Sequence, residues 1–136
     1  MNQQNKRKII LIDDNAILRT IFGYMLQGFS DYPIEFHPFK NALDALDFLE
    51  THDISASLGS PILFVDINMP FMTGWELMDV LEDRPDFIQQ TKIFIISSSS
   101  SKSDQEQLTN YPFISRFILK PFGKELLYEI LRETRL

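Results

Sequence analysis

Ile62-Leu63-Phe64-Val65-Asp66-Ile67-Asn68-Met69-Pro70 is the stretch on which the fold turns. Ile62 to Val65 is an unbroken apolar run of the length and β-branched content of a strand buried on both faces of a parallel sheet. It stops abruptly on a carboxylate. In open α/β sheets ligands bind beyond the carboxyl ends of the strands, so Asp66 would face a crevice. An aspartate ahead of Asn and Pro also starts ordinary turns, so the ends of the other strands decide between the two readings.

Three further runs end in the same way. Lys8-Ile9-Ile10-Leu11-Ile12 stops on Asp13-Asp14-Asn15, Lys92-Ile93-Phe94-Ile95-Ile96 runs into the serines 97–101, and Ile114 to Leu119 ends on Lys120-Pro121. Ile34-Glu35-Phe36-His37-Pro38-Phe39 alternates and contains a proline, which suits an edge strand because Pro cannot donate to the ladder. Between the runs lie helical patterns. Leu18, Ile21, Phe22, Met25, Leu26 and Phe29 recur at three and four up to Gly28. Ala42, Leu43, Ala45, Leu46 and Leu49 follow Asn41, a good N-cap. Leu77, Met78 and Leu81 mark a short helix stopped by Pro85. Ser103 to Tyr111 is polar and predicts a weakly held helix, and Leu126, Leu127, Ile130 and Leu131 mark the last one. The loop Asp53 to Ser60 reads as exposed and without function.

Five β-α repeats with short connections predict an α/β fold: a doubly wound, flavodoxin-like parallel sheet of five strands with helices on both faces. The order 2-1-3-4-5 puts the Pro-containing strand at an edge. With 136 residues the chain fits one domain, 1–136, with residues 1–7 as a flexible lead. A net charge of −6 opposes attraction to nucleic acid and to anionic membranes and suits a carboxylate site that binds a cation. The absence of cysteine excludes disulfides and thiol chemistry, and two scattered histidines, His37 and His52, offer no zinc cluster. The polar N-terminus has neither a signal-peptide core nor a membrane span, which leaves the cytoplasm as the expected location.

In that strand order Asp13, Asp14 and Asp66 meet at the switch point, with Ser97 and Lys120 arriving from the next two strands. Crowded carboxylates repel one another unless they take up a proton or a cation, and a hard ion such as Mg²⁺ favours such oxygens.

At Ile12-Asp13-Asp14-Asn15, Val65-Asp66-Ile67-Asn68-Met69-Pro70 with Gly74, Ile96-Ser97-Ser98 and Lys120-Pro121-Phe122, the chain resembles the receiver domains of two-component response regulators, over Lys8 to about Arg132. Ser97 stands where Thr is commoner. The resemblance implies Asp66 as phosphoacceptor and Asp13, Asp14 and the Asn68 backbone carbonyl, with Asp66, as the Mg²⁺ site. It implies Ser97 and Phe117 as the switch pair and Lys120 as the phosphate-contacting lysine. The expected donor is a sensor histidine kinase or a histidine phosphotransfer domain. With no effector segment after Leu136, the chain is expected to be a stand-alone receiver that acts on a separate protein target. Its only chemistry would be its own phosphorylation and dephosphorylation.

Two rival readings fit the residues less well. An aspartyl-nucleophile phosphohydrolase needs a second acid two residues after the nucleophile, where this chain has Asn68 and Asn15. A receiver-like interaction module that is never phosphorylated would have no need of Asp66, Lys120 and the acidic pair together.

Overall fold

The computed structural model describes residues 5–134. Five parallel strands run in the order β2-β1-β3-β4-β5: β1 Arg7–Ile12, β2 Ile34–Phe39, β3 Ile62–Asp66, β4 Lys92–Ser97 and β5 Ile114–Leu119. Among the described residues six helices lie around them: α1 Ala16–Gln27, α2 Ala42–Thr51, α3 Gly74–Glu82, α4 Pro85–Gln90, α5 Lys102–Leu108 and α6 Lys124–Glu133. The fold is the doubly wound α/β sheet that the alternation predicts, with the Pro38 strand at an edge.

Alternation along the central strands builds two cores. Ile10, Ile12, Leu63, Val65, Ile93 and Ile95 face Ala42 and Ala45 of α2 and Leu77, Met78 and Leu81 of α3. Ile9, Leu11, Ile62, Phe64, Phe94 and Ile96 face Phe22 and Leu26 of α1 and Leu127, Ile130 and Leu131 of α6. Neighbouring residues therefore point to opposite layers, which is why strands buried on both sides read as continuous apolar runs. At β5 the pairing slips by one residue, Ile93 opposite Ile114 but Phe94 opposite Arg116. That extra residue reverses the faces beyond it. Arg116 turns toward α6, where it pairs with Glu129, and Phe117 joins the α2/α3 core.

Four details depart from the sequence reading. Arg7, assigned to a flexible lead, begins β1 and is 1% exposed; its guanidinium has hydrogen-bond partners beneath the sheet, which no local pattern announces. Residues 1–4 of that lead lie outside the described residues. After Pro85 the chain forms α4, with Pro at the first turn and no buried residue, so apolar periodicity could not find it. Ile21 and Leu43, placed on buried faces, are exposed: Ile21 lies on the flank of α1 with Ile17 and Tyr24, turned away from Phe22 and Leu26. The loop before β3 is tied down, because Ile54 is buried, Lys8 donates to the Asp53 carbonyl and Ser57 Oγ accepts from the Lys8 amide.

Candidate functional site: an acidic cleft at the strand ends

Asp13 follows β1 directly and is fully buried. Its turn is fixed on all sides. The Asp13 amide donates to the Phe39 carbonyl, Oδ1 accepts from the Asn15 amide at 2.9 Å, and its carbonyl accepts from Arg19 at 2.8 Å. Asn15 in turn caps α1, its Oδ1 accepting from the Ile17 and Leu18 amides. The same residues that end the strand thus start the helix and aim the Asp13 carboxylate.

Asp66 ends β3 and is 5% exposed. Lys120, one residue past β5, reaches across two strands. Its Nζ lies 3.0 Å from Asp13 Oδ2 and 3.3 Å from Asp66 Oδ1. Asp14 stays exposed at the mouth, and Asp13, Asp14 and Asp66 each offer a carboxylate oxygen within 4.8 Å of the others. Asn68 lies exposed two residues beyond Asp66.

Ser97 is the last residue of β4 and fully buried, whereas Ser98, Ser99, Ser100 and Ser101 are exposed. Its Oγ accepts from the Ser99 amide at 3.1 Å, and its carbonyl accepts from the Lys120 amide at 2.7 Å. By strand alternation Ser97 shares a face with Ile93 and Ile95, the face on which half-buried Phe117 packs. Phe117 pairs with Ile95 and Leu119 with Ser97, so Phe117 sits one pleat behind the hydroxyl.

The loop after Asp66 is shaped by Gly74 as well as by Pro70. Gly74 N–H donates to the Ile67 carbonyl at 2.7 Å, which brings the start of α3 against the Asp66 peptide. Thr73 and Glu76 cap that helix reciprocally, each side chain accepting from the other's amide.

The charges explain what the cleft needs. Burial first, and then the neighbouring Asp13 carboxylate, push the Asp66 acid up to about 6, Asp14 adding slightly and Lys120 pulling the other way. For Lys120 burial alone would lower the ammonium, yet the hydrogen bond to Asp13 and the charges of Asp66 and Asp13 hold it above its usual value. One ammonium among three carboxylates leaves the cleft short of positive charge. An all-oxygen donor set with surplus negative charge fits a hard divalent cation such as Mg²⁺.

This imbalance makes a pH prediction for the metal-free protein. An acid whose folded pKa is raised costs stability once ionised. The cost is absent below the unfolded value of 3.8, grows as pH rises, and is complete above about 6. Asp66→Asn should therefore be more stable than the parent at pH 7.5 in chelator, by about 1–3 kcal/mol after screening by solvent, and the gap should close toward pH 4. Urea unfolding of both proteins across that range measures it; equal stability at pH 7.5 would contradict the charge balance described.

Sequence reasoning did not find Arg19. Its signal is a cation four residues after the capping Asn15, on the first turns of α1, where it reaches back to the Asp13 carbonyl.

Comparison with known proteins places the chain in a family. The family model for the response regulator receiver domain matches residues 9–132. The protein-glutamate methylesterase/protein-glutamine glutaminase of Treponema pallidum (strain Nichols) is 26% identical over 126 residues, which cover 92% of this chain and 29% of that protein. The hybrid signal transduction histidine kinase L of Dictyostelium discoideum is 24% identical over 127 residues, 93% of this chain and 7% of that protein. The chain thus spans less than a third of either curated relative. Among solved structures, the signal receiver domain of an HD domain-containing protein from Pseudomonas fluorescens Pf-5 superposes with a TM-score of 0.77 at 18% identity, covering 95% of this chain and 94% of that one. The chemotaxis protein CheY4 of Vibrio cholerae gives 0.74 at 21% identity, with 95% and 98% covered. The chain belongs to the response regulator receiver domain family of two-component signalling.

Proposed function

We propose that this chain accepts a phosphoryl group on Asp66 from a phosphohistidine and passes the change to a separate protein. The observation that carries the reading is Lys120 bridging Asp13 and Asp66 at the mouth of an under-neutralised acidic cleft. An ionised Asp66 oxygen attacks phosphorus, the P–N bond of the donor breaks, and the imidazole leaves with its electron pair. The product is an acyl phosphate, which water later hydrolyses to restore the carboxylate. With its folded value near 6, Asp66 is largely ionised at neutral pH, and Lys120 stays an ammonium able to follow the phosphoryl oxygens. Asp13, Asp14, Asp66 and the Asn68 carbonyl are the residues that would hold Mg²⁺, which when bound supplies positive charge for the transferring group.

The donor is a sensor histidine kinase or a histidine phosphotransfer domain. The acidic balance of the chain favours a protein target over nucleic acid, and no helix among the described residues is long and apolar enough to cross a membrane. On this reading the chain works in the cytoplasm as a switch whose only chemistry is its own phosphorylation and dephosphorylation. The test is intact-protein mass spectrometry after incubation with a small phosphodonor and Mg²⁺. The parent should gain one phosphate-sized increment, and Asp66→Asn none; equal labelling of the variant would refute the assignment.

The same reading gives Ser97 and Phe117 the task of reporting the phosphate. A phosphoryl group brings new acceptor oxygens beside Ser97, whose hydroxyl would leave the Ser99 amide for them, and Phe117 behind it is free to turn into the space vacated. Ser97→Ala should still take up phosphate while losing the accompanying change in amide exchange over 98–111, and Ser99→Ala should retain both. The reverse pattern would move the role along the serine run.

A further inference from the structure

Helix α5 begins a few residues after Ser97 and contains no buried residue. Apart from half-buried Leu108, which packs on the core beneath it, what holds it is a set of contacts with α3. Trp75 Nε1–H donates to Asp104 Oδ1 at 3.3 Å. The Trp75 indole stacks on Tyr111, centroids 5.7 Å apart and planes 10° from parallel. Tyr111 O–H donates to Asp79 Oδ1 at 2.6 Å, and its amide donates to the Leu108 carbonyl at the end of α5. Trp75 and Tyr111 are both buried, so these part-buried contacts are partly shielded from water. The bond to Asp79 holds the Tyr111 hydroxyl up at about 12.

The two ends of this arrangement differ in freedom. Helix α3 carries five buried residues, and its first residue lies against the Asp66 peptide. Helix α5 is joined to Ser97 through the Ser99 amide and is capped by Ser101, whose Oγ accepts from the Asp104 amide. Asp104 therefore belongs both to the cap of α5 and to the contact with Trp75. Any displacement of the β4–α5 connection toward a phosphate would pull on a helix pinned to a fixed neighbour.

We propose that Trp75 and Tyr111 form a latch that closes α5 on α3 and opposes the phosphorylated conformation. The proposal rests on the reading of Asp66 as phosphoacceptor. The latch sets how readily the switch is thrown, because its contacts exist in one conformation and must be given up in the other. By linkage, whatever weakens the latch must tighten binding of a phosphate mimic at Asp66 by the same factor by which it favours opening. Each part-buried hydrogen bond of this kind corresponds to about a five- to tenfold shift in that equilibrium.

The test uses Tyr111→Phe, which removes the bond to Asp79 and keeps the ring, and Trp75→Phe, which removes the Nε1 donor and keeps an aromatic partner for Tyr111. Neither side chain belongs to the acidic cleft, and the bond from the Tyr111 amide to the Leu108 carbonyl is kept in both variants. Amide hydrogen exchange is followed without phosphodonor, and binding of beryllofluoride with Mg²⁺ is then titrated. Both variants should exchange faster over 102–108 by about five- to tenfold, with α3 and the sheet unchanged, and should half-saturate with beryllofluoride at several-fold lower concentration. Unchanged exchange over 102–108 would overturn the latch. Faster exchange with unchanged or weaker mimic binding would overturn its opposition to the switch. If the parent itself binds no beryllofluoride, the phosphoacceptor reading fails and the coupling with it, while the exchange data still decide whether these contacts hold α5.

Discussion

Replacing Arg7 with methionine is expected to cost about 3–5 kcal/mol of stability, read as a fall in the urea midpoint with an unchanged slope. Arg7 is 1% exposed at the start of β1. Its Nε donates to the Ser60 carbonyl at 2.7 Å, Nη1 to Tyr32 Oη at 2.8 Å and to the Leu131 carbonyl at 3.3 Å, and Nη2 to the Thr134 carbonyl at 2.6 Å. The side chain thus ties the bottom of the sheet to the loop before β3, the approach to β2 and the C-terminal turn of α6. The carbonyls at a helix end have no partner inside the helix, and a cation there also meets the negative end of the dipole. Methionine fills similar volume but leaves the Ser60 and Thr134 carbonyls without this donor in a part-buried region, the costly half of losing a hydrogen bond, while the Leu131 carbonyl keeps the Tyr32 hydroxyl. A loss below about 1 kcal/mol would show that they find water or another donor.

Gly74→Ala is expected to damage both stability and phosphate uptake. A Cβ at this position would lie 2.6 Å from the Asp66 carbonyl oxygen, 3.0 Å from Ile67 Cα and 3.2 Å from the Asp66 carbonyl carbon. All three are backbone atoms of the segment that carries Asp66, so no side-chain rotation relieves the overlap. Either the start of α3 or the Asp66 loop must move, at a cost of about 2–4 kcal/mol. Because the attacking oxygen has to stay aligned, the rate of labelling by a small phosphodonor should fall by at least about tenfold. The two readouts are independent. A stable variant that labels slowly would mean the loop absorbed the strain, and parent-like values in both would contradict the close approach.

The fold was readable because its strands end on chemistry. Four apolar runs stop on Asp13, Asp66, Ser97 and Lys120, and the parallel order brings those ends to one edge. The pairwise contact of Lys120 with Asp13 and Asp66 follows from topology more than from any local signal. What stayed hidden depends on tertiary partners. Arg7 looks like one more charge in a polar lead until the end of α6 arrives beside it. Helix α4 has no fully buried residue, only half-buried Phe87 against the core, and so leaves no period in the sequence. The one-residue slip in β5 that turns Phe117 to the face of Ser97 has no glycine or proline within the strand to mark it. Trp75 and Asp104 lie 29 positions apart, and only the packing of α3 beside α5 brings them together.

The central claim is that a single carboxylate, Asp66, is the phosphoacceptor, and chemical trapping tests it most directly. Borohydride reduces an acyl phosphate to the alcohol, so a phosphorylated aspartate becomes homoserine and is located by peptide mass spectrometry. After incubation with a small phosphodonor and Mg²⁺ followed by borohydride, homoserine should appear at position 66, with Asp13 and Asp14 unmodified and the product lost when Mg²⁺ is chelated. Homoserine at position 13 or 14 with position 66 unmodified, or no reduced aspartate at all in protein that has gained the phosphate mass, would contradict it.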